Sequence, residues 1–333
     1  MSAKKKSTIK KKPLRIHVLG DVVLDDTEFV EFDRPNVAED KRTSIYRTVK
    51  QELTVGGAGA VVRQLHGVGC SVSLQTVFGR VLAKHGSVVD GFRNLLFDAV
   101  LGFGALANVP IKRRIYDHKT KRLVLRVDDE SPFDVDIRRR MAKGDDKFSS
   151  PFGGCAAYVI ADYKKGCVSD WRLRLLGKVV GDAPVVIDPG LGVPWGKYLR
   201  WFAHTSGLWI KCNEREFNAV CVAPVFKRRP FSEMVKLASQ QHNCNVVVTR
   251  GARDVVFACH GIIGKCRVPK VDAVNTVGCG DTFAAMLAYG LAKRDNASDA
   301  IYNAAVYSSA QAMVSGCAEA IDGQASIRAL KGK

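Results

Sequence analysis

A glycine-rich stretch followed by an acid occurs late in the chain, where residues 275–292 read NTVGCGDTFAAMLAYGLA. Gly278, Cys279 and Gly280 precede Asp281, and a run of good helix formers follows. Backbone N–H groups and the dipole at a helix start attract anions such as phosphate, and glycines let the anion come close. Asp281 can then accept a proton from an attacking hydroxyl, although an acid at a helix start often only caps unpaired N–H groups.

Polar residues also follow several short apolar segments that have the composition of buried strands. These segments are 15–21, 71–79, 158–162, 184–188, 208–213 and 245–251. The polar residues at their ends are Asp21, Asp162, Asp188, Asn213 and the turn from Thr249 to Gly251. Because ligands bind beyond the carboxyl ends of parallel strands, we expect these groups to share one edge of a sheet with the Asp281 stretch.

Helix-like segments alternate with these strands, at 56–69 and 86–100 among others. Buried strands with helical connections predict an α/β fold, with a doubly wound, mostly parallel sheet and helices on both faces.

Two segments break the alternation of strands and helices. Residues 22–55 are polar and too long for a loop, and residues 112–128 alternate around a turn at Asp117–Thr120 like a hairpin. Together they predict a small β lid over the main sheet.

The composition favours a compact enzyme over a secreted or membrane protein. Of the 333 residues, 47% are apolar, which is enough for a core. No apolar run approaches the roughly 18 residues that a membrane span needs. The N-terminus has no apolar signal-peptide region, and none of the ten cysteines forms a C-x-x-C pair. We therefore expect reduced thiols, a cytoplasmic location and no membrane association.

The net charge of +18 is partly concentrated at the N-terminus, where residues 1–15 carry seven lysines and arginines. We expect residues 1–13 to be a basic, disordered tail ahead of one folded domain over residues 14–333. Such a tail can attract nucleic acid without sequence preference, or it can simply be solvated. The remaining positive charge suits an enzyme with anionic substrates.

Motifs of several common enzyme classes do not occur: there is no G-x-x-x-x-G-K-[ST], no H-E-x-x-H and no G-x-S-x-G. Four segments instead resemble, in order, motifs of the PfkB/ribokinase family of carbohydrate kinases. They are VGGAGAVVRQLHGVG (55–69), Asn213–Glu216 as N-x-x-E, VVVTRG (246–251) and TVGCGDTF (276–283). The resemblance covers roughly residues 14–320 and implies a ribokinase-like fold in that range.

Within this family, the chain most resembles the heptose-7-phosphate kinases, the kinase half of ADP-heptose synthases. LGDVVLDD (19–26), ADYKKG (161–166) and LVLRVDDE (123–130) are similar to V-G-D-V-M-L-D, S-D-Y-x-K-G and L-x-R-x-D-x-E of that branch. No nucleotidyltransferase motif of the H-x-G-H type follows. The resemblance implies ATP- and Mg²⁺-dependent phosphorylation of a sugar or sugar phosphate, with a heptose phosphate as first choice.

The resemblance also implies roles for the residues noted above. Asp281 is the base, and the N–H groups from Val277 to Gly280 hold the charge of the transferred phosphoryl group. Asn213 and Glu216 organise Mg²⁺ through water, although they equally fit a helix N-cap with an acid three residues on. Four residues are assigned to the nucleotide pocket: Thr249, Gly251, Asn213 and Thr276.

On the substrate side, Asp21 is expected to accept hydrogen bonds from sugar hydroxyls, or else to cap a turn. The Gly-Gly motif places Gly56, Gly57 and Ala60 beside the sugar. Three basic residues suit a substrate phosphate but equally suit a solvated surface: Lys164, Lys165 and Arg113. We also expect a homodimer that forms through the lid.

Departures from the family pattern fall on the substrate side. Asn275 replaces the usual Asp of the signature, and Ala60 stands where an Asn helps to hold the sugar. Gly190-Leu191 replaces the Lys-Gly that tends to follow Asp-Pro in the heptose branch. We expect phosphotransfer to be retained and the sugar to differ. Three rival functions remain open. They are a non-catalytic kinase-like regulator that binds a sugar or nucleotide, a PfkB kinase of the ribokinase or fructokinase type, and a nucleic-acid-associated protein, which only the basic tail and the charge support.

Overall fold

A computed structural model of the chain describes residues 12–35, 44–80, 91–92, 98–129, 152–221 and 229–314. Nine of the strands belong to one sheet: β1 (Arg15–Gly20), β4 (Ser71–Arg80), β5 (Asp98–Asn108), β8 (Ala157–Asp162), β9 (Val185–Pro189), β10 (Leu208–Asn213), β11 (Asn245–Thr249), β12 (Val255–Cys259) and β13 (Ile262–Cys266). Four strands form a second sheet: β2 (Val22–Pro35), β3 (Ser44–Gly57), β6 (Ile111–Asp117) and β7 (Leu123–Asp129).

Seven described helices connect or follow these strands. They are α1 (Ala58–Gly67), α2 (Asp170–Gly177), α3 (Gly196–Phe202), α4 (Glu214–Cys221), α5 (Phe231–His242), α6 (Cys279–Ala292) and α7 (Ala297–Ala312). None of the helices in the described ranges is long and apolar enough to cross a membrane.

The main sheet has the order β13-β12-β11-β10-β9-β8-β1-β4-β5. All neighbouring strands from β5 to β11 pair in parallel, and β12 and β13 add an antiparallel edge. The carboxyl ends of the parallel strands therefore lie on one edge, which we call the active-site edge. This confirms the predicted doubly wound, mostly parallel sheet.

Side chains alternate between two apolar cores, one on each face of the sheet. Val18 of β1 and Val159 of β8 pack in the core that contains residues of α1, α6 and α7. Leu19 and Ile160, the next residues along, pack in the core that contains residues of α2, α3, α4 and α5. Strands buried on both faces need near-continuous apolar sequence, which is why their runs lack the alternation of a half-exposed strand.

The second sheet is the predicted lid, with the order β3-β2-β6-β7. It forms from the two segments that broke the α/β rhythm, and β6 and β7 make the expected hairpin, in which Asp117 Oδ1 accepts the N–H of Thr120 at 2.6 Å. A charged pair supports the parallel contact of β2 with β6: Arg114 Nη1 lies 2.6 Å from Asp25 Oδ1. Only Asp21 separates β2 from the central strand β1.

One element prediction is wrong where it can be compared. Residues 98–100, the end of the predicted helix 86–100, belong to β5, because they pair in parallel with residues 73–75 of β4. Hydrogen bonding to an open strand edge here outweighs local helix preference. Residues 81–90 and 93–97 of that region, residues 1–11 of the predicted tail and residues 315–333 lie outside the described residues. The predicted domain limits stay a prediction.

Candidate active site

A cavity of about 540 Å³ lies at the active-site edge, between the main sheet and the lid. Its walls come from loops after β8 and β9, from β10 and the start of α4, from the start of α6, and from the lid strands β6 and β7. The sequence-predicted residues Lys165, Asn213, Glu216, Gly278, Gly280 and Asp281 all line this cavity. The sheet topology thus brings together residues that lie more than 100 positions apart in sequence.

The turn that begins α6 has the geometry of an anion site. Gly278 adopts φ 78°, in the left-handed region that glycine reaches without strain, and no side chain caps the helix. Asn275 Oδ1 accepts the N–H of Val277 at 2.9 Å, so this N–H is already engaged. The Cys279 N–H donates to the carbonyl oxygen of Thr276 at 3.4 Å. Within the expected set from Val277 to Gly280, the candidates for binding an anion are therefore the N–H groups of Gly278 and Gly280.

Asp281 lies in the first turn of α6 and is 6% exposed. Burial, the largest cause, raises its pKa to about 7, and the nearby Asp188 adds to this effect. The Tyr163 hydroxyl donates a short hydrogen bond to Asp281 Oδ1 and lowers the pKa in part. Asp281 is therefore a buried carboxyl group poised between its charged and neutral forms at neutral pH, and it does not cap the helix.

Tyr163 is fixed from several sides. Lys112 Nζ stands 4.8 Å from the centroid of its ring. Gly57 lies against this ring, and it must be a glycine because a Cβ there would come within 2.6 Å of the carbonyl oxygen of Asp21. Burial raises the pKa of Tyr163 well above its usual value, and the phenol remains a hydrogen-bond donor.

A buried ion pair forms the floor of the cavity. Lys211 Nζ on β10 lies 2.7 Å from Asp188 Oδ2 on the neighbouring strand β9. Burial raises the pKa of Asp188 to about 6, and Lys211 acts in the opposite direction. At neutral pH the pair is ionised, which places an ammonium group beside the start of α6.

Positive charge outweighs negative charge on the cavity wall. Six basic side chains line it, four acidic ones do so, and the basic residues are Lys112, Arg126, Lys164, Lys165, Lys211 and Arg215. The expectation for Arg113 is corrected, because its Nε lies 3.1 Å from Asp26 and 3.3 Å from Glu28. Arg113 alternates with Lys112 along β6, so its side chain points to the opposite face of the lid.

Asp21 does not line the cavity, and its expected contact with sugar hydroxyls stays a prediction. Its carboxylate is 1% exposed and accepts N–H bonds from Tyr163 (2.9 Å), Lys165 (3.0 Å) and Cys167 (2.8 Å). The three bonds shape the loop after β8, which carries Tyr163 and Lys165. The turn-capping alternative describes what Asp21 does.

The Gly-Gly motif lies next to this loop but outside the cavity wall. Ala60 is 3% exposed within α1, and neither it nor Gly56 or Gly57 lines the cavity. A Cβ at Gly56 would collide with the Asp25 carboxylate. The motif therefore makes room for the Asp25 carboxylate and the backbone of Asp21, and the expected sugar contacts of Gly56, Gly57 and Ala60 stay predictions.

Asn213 and Glu216 cap α4 reciprocally. Asn213 Oδ1 accepts the N–H of Glu216 at 2.9 Å, and Glu216 Oε2 accepts the N–H of Asn213 at 2.8 Å. In the described part of the chain, no group of three or more His, Cys, Asp or Glu side chains could hold a metal ion. A Mg²⁺ ion fits this wall only as a hydrated ion held mainly by bound phosphate groups, with the second Glu216 oxygen in reach of its water shell.

A second cavity of about 210 Å³ lies on the other side of the α6 start. Thr249, Gly251 and Thr276 line it, together with apolar residues such as Val268 and Ala312. Gly280 lines both cavities. The predicted nucleotide residues thus share one mostly apolar pocket, except Asn213, which faces the larger cavity.

A larger cavity of about 640 Å³ lies near the opposite edge of the sheet, between the ends of α3 and α5 and the β12–β13 turn. Neutral polar residues such as Thr205, Asn243 and His260 line it, and none of the predicted site residues is there. We assign the chemistry to the smaller cavity that contains Asp281, since size alone supplies no reactive group.

Sequence reasoning gave no role to Tyr163, Lys112 or Lys211. Tyr163 belongs to the ADYKKG motif, but its contact with Asp281 joins residues 118 positions apart, which no local pattern predicts. Lys211 did carry a signal: it is a charged residue inside the apolar strand LWIKCN. A buried charge needs a partner, and the acid at the end of the preceding strand could have been proposed for it.

Comparisons with known proteins find similarity to a carbohydrate kinase family in part of the chain. Residues 184–323 match the family model described as pfkB family carbohydrate kinase. A relative from Campylobacter curvus, named Bifunctional protein HldE, is 24% identical over 298 residues, which cover 87% of this chain and 59% of that protein. The protein of the same name from Pelobacter propionicus is 23% identical over 285 residues, or 83% of this chain and 55% of that protein. The chain spans a little over half the length of these relatives.

Solved structures agree on the fold. The tetrameric inhibited form of phosphofructokinase-2 from Escherichia coli superposes with a TM-score of 0.69 at 15% identity, covering 96% of this chain and 100% of that one. Ribokinase from Arabidopsis thaliana, solved with ribose and ATP, gives a TM-score of 0.66 at 14% identity, covering 96% and 99%. The fold of the chain is ribokinase-like.

Replacing Asp21 with Asn is expected to lower the free energy of unfolding by about 2–4 kcal/mol, because the amide group cannot accept all three N–H bonds. Urea denaturation measures the effect. The matched control is Asp182→Asn, an exposed loop aspartate that should cost less than about 0.5 kcal/mol. Equal stability of both variants would show that Asp21 does not hold the loop.

Asp281 is expected to titrate near pH 7 in the ligand-free protein, and Tyr163→Phe should move its midpoint upward, because the variant loses the hydrogen bond that favours the carboxylate. Carboxyl ¹³C NMR measures both midpoints, with Asp281→Asn identifying the signal. The exposed Tyr302→Phe is the control and should leave the midpoint unchanged. A midpoint near 4 in the wild type would contradict the burial argument.

Proposed function

We propose that this chain, which carries a pfkB family carbohydrate kinase domain in residues 184–323, is a cytoplasmic enzyme that uses ATP and Mg²⁺ to phosphorylate a hydroxyl group of a sugar or sugar phosphate. The observation that carries the proposal is Asp281, a buried carboxyl group with a pKa of about 7 beside an N–H-lined turn. A base whose pKa is near ambient pH can take a proton from a hydroxyl and release it afterwards.

In the proposed reaction, Asp281 accepts the proton of the acceptor hydroxyl. The hydroxyl oxygen then bonds to the γ-phosphorus of ATP, and the bond between that phosphorus and the bridging oxygen of ADP breaks. The N–H groups of Gly278 and Gly280 stabilise charge on the transferring group. Such transfer relies on positioning and charge neutralisation more than on covalent help, which fits a site made of one base and several donors.

The nucleotide is proposed to occupy the cavity lined by Thr249, Gly251 and Thr276. Gly280, which lines both cavities, is then the point at which the γ-phosphoryl group passes to the acceptor. Asn213 and Glu216 are proposed to orient the water shell of the metal. When bound, Mg²⁺ neutralises phosphate charge.

For the acceptor, we favour a sugar phosphate, with a heptose phosphate as the first candidate. Two observations support it: the relatives named Bifunctional protein HldE, and the basic wall that includes Lys112, Arg126 and Lys165. The phosphate group of such an acceptor would supply an anion that these cations can bind. Arg126 pairs with Asp128 in the free protein and would have to exchange that partner for the phosphate.

Two rivals are separable by one assay. An ADP-release assay over neutral sugars and their phosphates identifies a ribokinase- or fructokinase-type enzyme by turnover with a neutral sugar. Binding of nucleotide or sugar without turnover identifies a kinase-like regulator. Nucleic-acid binding through residues 1–13 stays a separate proposal, tested by salt-dependent binding before and after their removal.

We also propose that two copies of the chain pair through the lid. The strand β7 is exposed along its whole length, and Leu125 and Val127 place two exposed apolar side chains on one face of it. At the other edge of the same sheet, the exposed rings of Phe32 on β2 and Tyr46 on β3 meet edge to face, 5.8 Å apart. Exposed apolar rows on a sheet favour association.

Asp281→Asn is expected to fold normally and to lose phosphotransfer by roughly 10²- to 10⁴-fold, the usual effect of removing a general base. The measurement is ADP release with ATP and the best acceptor, alongside Asp182→Asn as the control. In the wild type, kcat/KM should fall as the pH drops below about 7, because the protonated carboxyl cannot accept the proton. Near-normal turnover of Asp281→Asn would remove the base from the proposal.

Leu125→Glu is expected to shift the protein from dimer to monomer, because pairing would bury the new charge. Sedimentation velocity at micromolar concentration measures the change. Ile262→Glu places the same charge at a 73% exposed position on β13 and should leave the mass unchanged. A wild-type protein that is monomeric at all concentrations would contradict the lid dimer.

A further inference from the structure

Lys211 is the charged residue that the proposed mechanism leaves without a role. Its side chain is 4% exposed within β10, where its neighbours along the strand are apolar. Burying an ammonium group costs several kcal/mol even when it is paired, and an apolar pair at the same place would often be at least as stable. A role in stability therefore does not explain why a lysine occupies this position, and we look for a role in function.

The position of the ammonium group indicates what that is. A Cβ built on Gly280 would lie 3.0 Å from Lys211 Nζ, so the lysine reaches the start of α6 because residue 280 has no side chain. Lys211, Gly278, Gly280 and Asp281 line the same cavity. The ammonium group thus stands beside the N–H groups that are proposed to receive the phosphoryl group.

The ammonium group also has donor capacity to spare. It carries three N–H donors, and among the described residues its hydrogen bond goes to Asp188 Oδ2 at 2.7 Å. The cavity floor therefore presents N–H groups of Lys211 toward the start of α6, in a site where charge-assisted hydrogen bonds to phosphate oxygens are strong.

The neighbouring strand end cannot supply this charge. Gly190 follows Pro189 at the end of β9, and a Cβ there would lie 2.6 Å from the carbonyl oxygen of Asp162. A lysine at residue 190 would need the backbone to move. An ammonium group at this part of the active-site edge comes instead from Lys211 on the adjacent strand.

We propose that Lys211 is a catalytic residue whose ammonium group donates a hydrogen bond to an oxygen of the phosphoryl group during its transfer. The inference rests on the proposed kinase function and deepens it. Lys211 keeps its protons throughout: the hydroxyl proton goes to Asp281, the new bond joins the acceptor oxygen to phosphorus, and ADP leaves with the electron pair of the broken bond. The ammonium group stabilises the negative charge on the oxygens between these two bonds.

The competing explanation is that Lys211 only neutralises Asp188. The two explanations differ in an Asp188→Asn background, where there is no carboxylate left to neutralise. If neutralisation is the only role, Lys211→Met added to Asp188→Asn changes nothing further. If Lys211 touches the phosphoryl group, the added substitution still removes that contact.

The first experiment compares kcat of Asp188→Asn with that of Asp188→Asn/Lys211→Met, in the full chain with ATP and the best acceptor. We expect the double variant to be about 10²- to 10³-fold slower, the effect of losing one donor to a developing charge. The double variant should be at least as stable to urea as Asp188→Asn, because Asp188→Asn leaves the buried ammonium group of Lys211 unpaired and the double variant does not. A lower kcat of the double variant therefore cannot come from unfolding. The control Lys293→Met removes a surface lysine and should not change kcat. Equal kcat of the two Asp188 variants would overturn the proposal.

The second experiment needs no acceptor sugar. ADP with Mg²⁺ and aluminium fluoride mimics the transferring phosphoryl group, and calorimetry compares its affinity with that of ADP and Mg²⁺ alone. In Asp188→Asn, aluminium fluoride should increase the affinity for ADP and Mg²⁺ at least 10-fold. In the double variant, it should give no such increase. An equal gain in both overturns the role of Lys211 while leaving the kinase proposal intact. A wild-type chain that binds no nucleotide at all overturns both.

Discussion

Removal of Asp281 from water is the constraint on which the active-site edge depends. A carboxylate without hydration needs a donor that replaces water, and the Tyr163 hydroxyl is that donor. The phenol is protonated at neutral pH, and burial raises its pKa still further. Lys112 above the tyrosine ring and Lys211 at the cavity floor then balance the negative charge of a site that also contains Asp188.

The place of Tyr163 depends in turn on Asp21, at the end of the central strand. Its three hydrogen bonds to the loop after β8 join two parallel neighbours at their carboxyl ends. The same residue connects the main sheet to the lid, since its carbonyl oxygen accepts the N–H of Ala58, where the chain returns from β3 into α1. The loop after β8, the lid and the main sheet are therefore held together at Asp21, whose observed contacts are structural.

The sequence predicts the layout of the fold better than the details of the site. Apolar runs such as YVIAD identify strands buried on both faces, and Asp162, Asp188 and Asn213 mark their carboxyl ends, so local sequence is enough. The Tyr163–Asp281 bond and the Lys211–Gly280 approach join distant segments and have no local pattern. Asn213 and Glu216 show a different limit of sequence-based prediction. The same two residue types at this spacing fit both the water shell of a metal ion and a capping box, and only the structure shows that they cap α4 reciprocally.

The central position of β1 has a consequence for biosynthesis. Ile16 pairs with Ala157, so the first strand of the sheet waits for a neighbour about 140 residues later before its second edge is covered. At typical rates of translation, this delay is on the order of 10 s or more, during which an apolar strand edge can pair with other chains. Contacts between such distant segments also slow folding once the chain is complete. The strand order of the sheet therefore makes the period of synthesis the time at which this chain is most open to association with other chains.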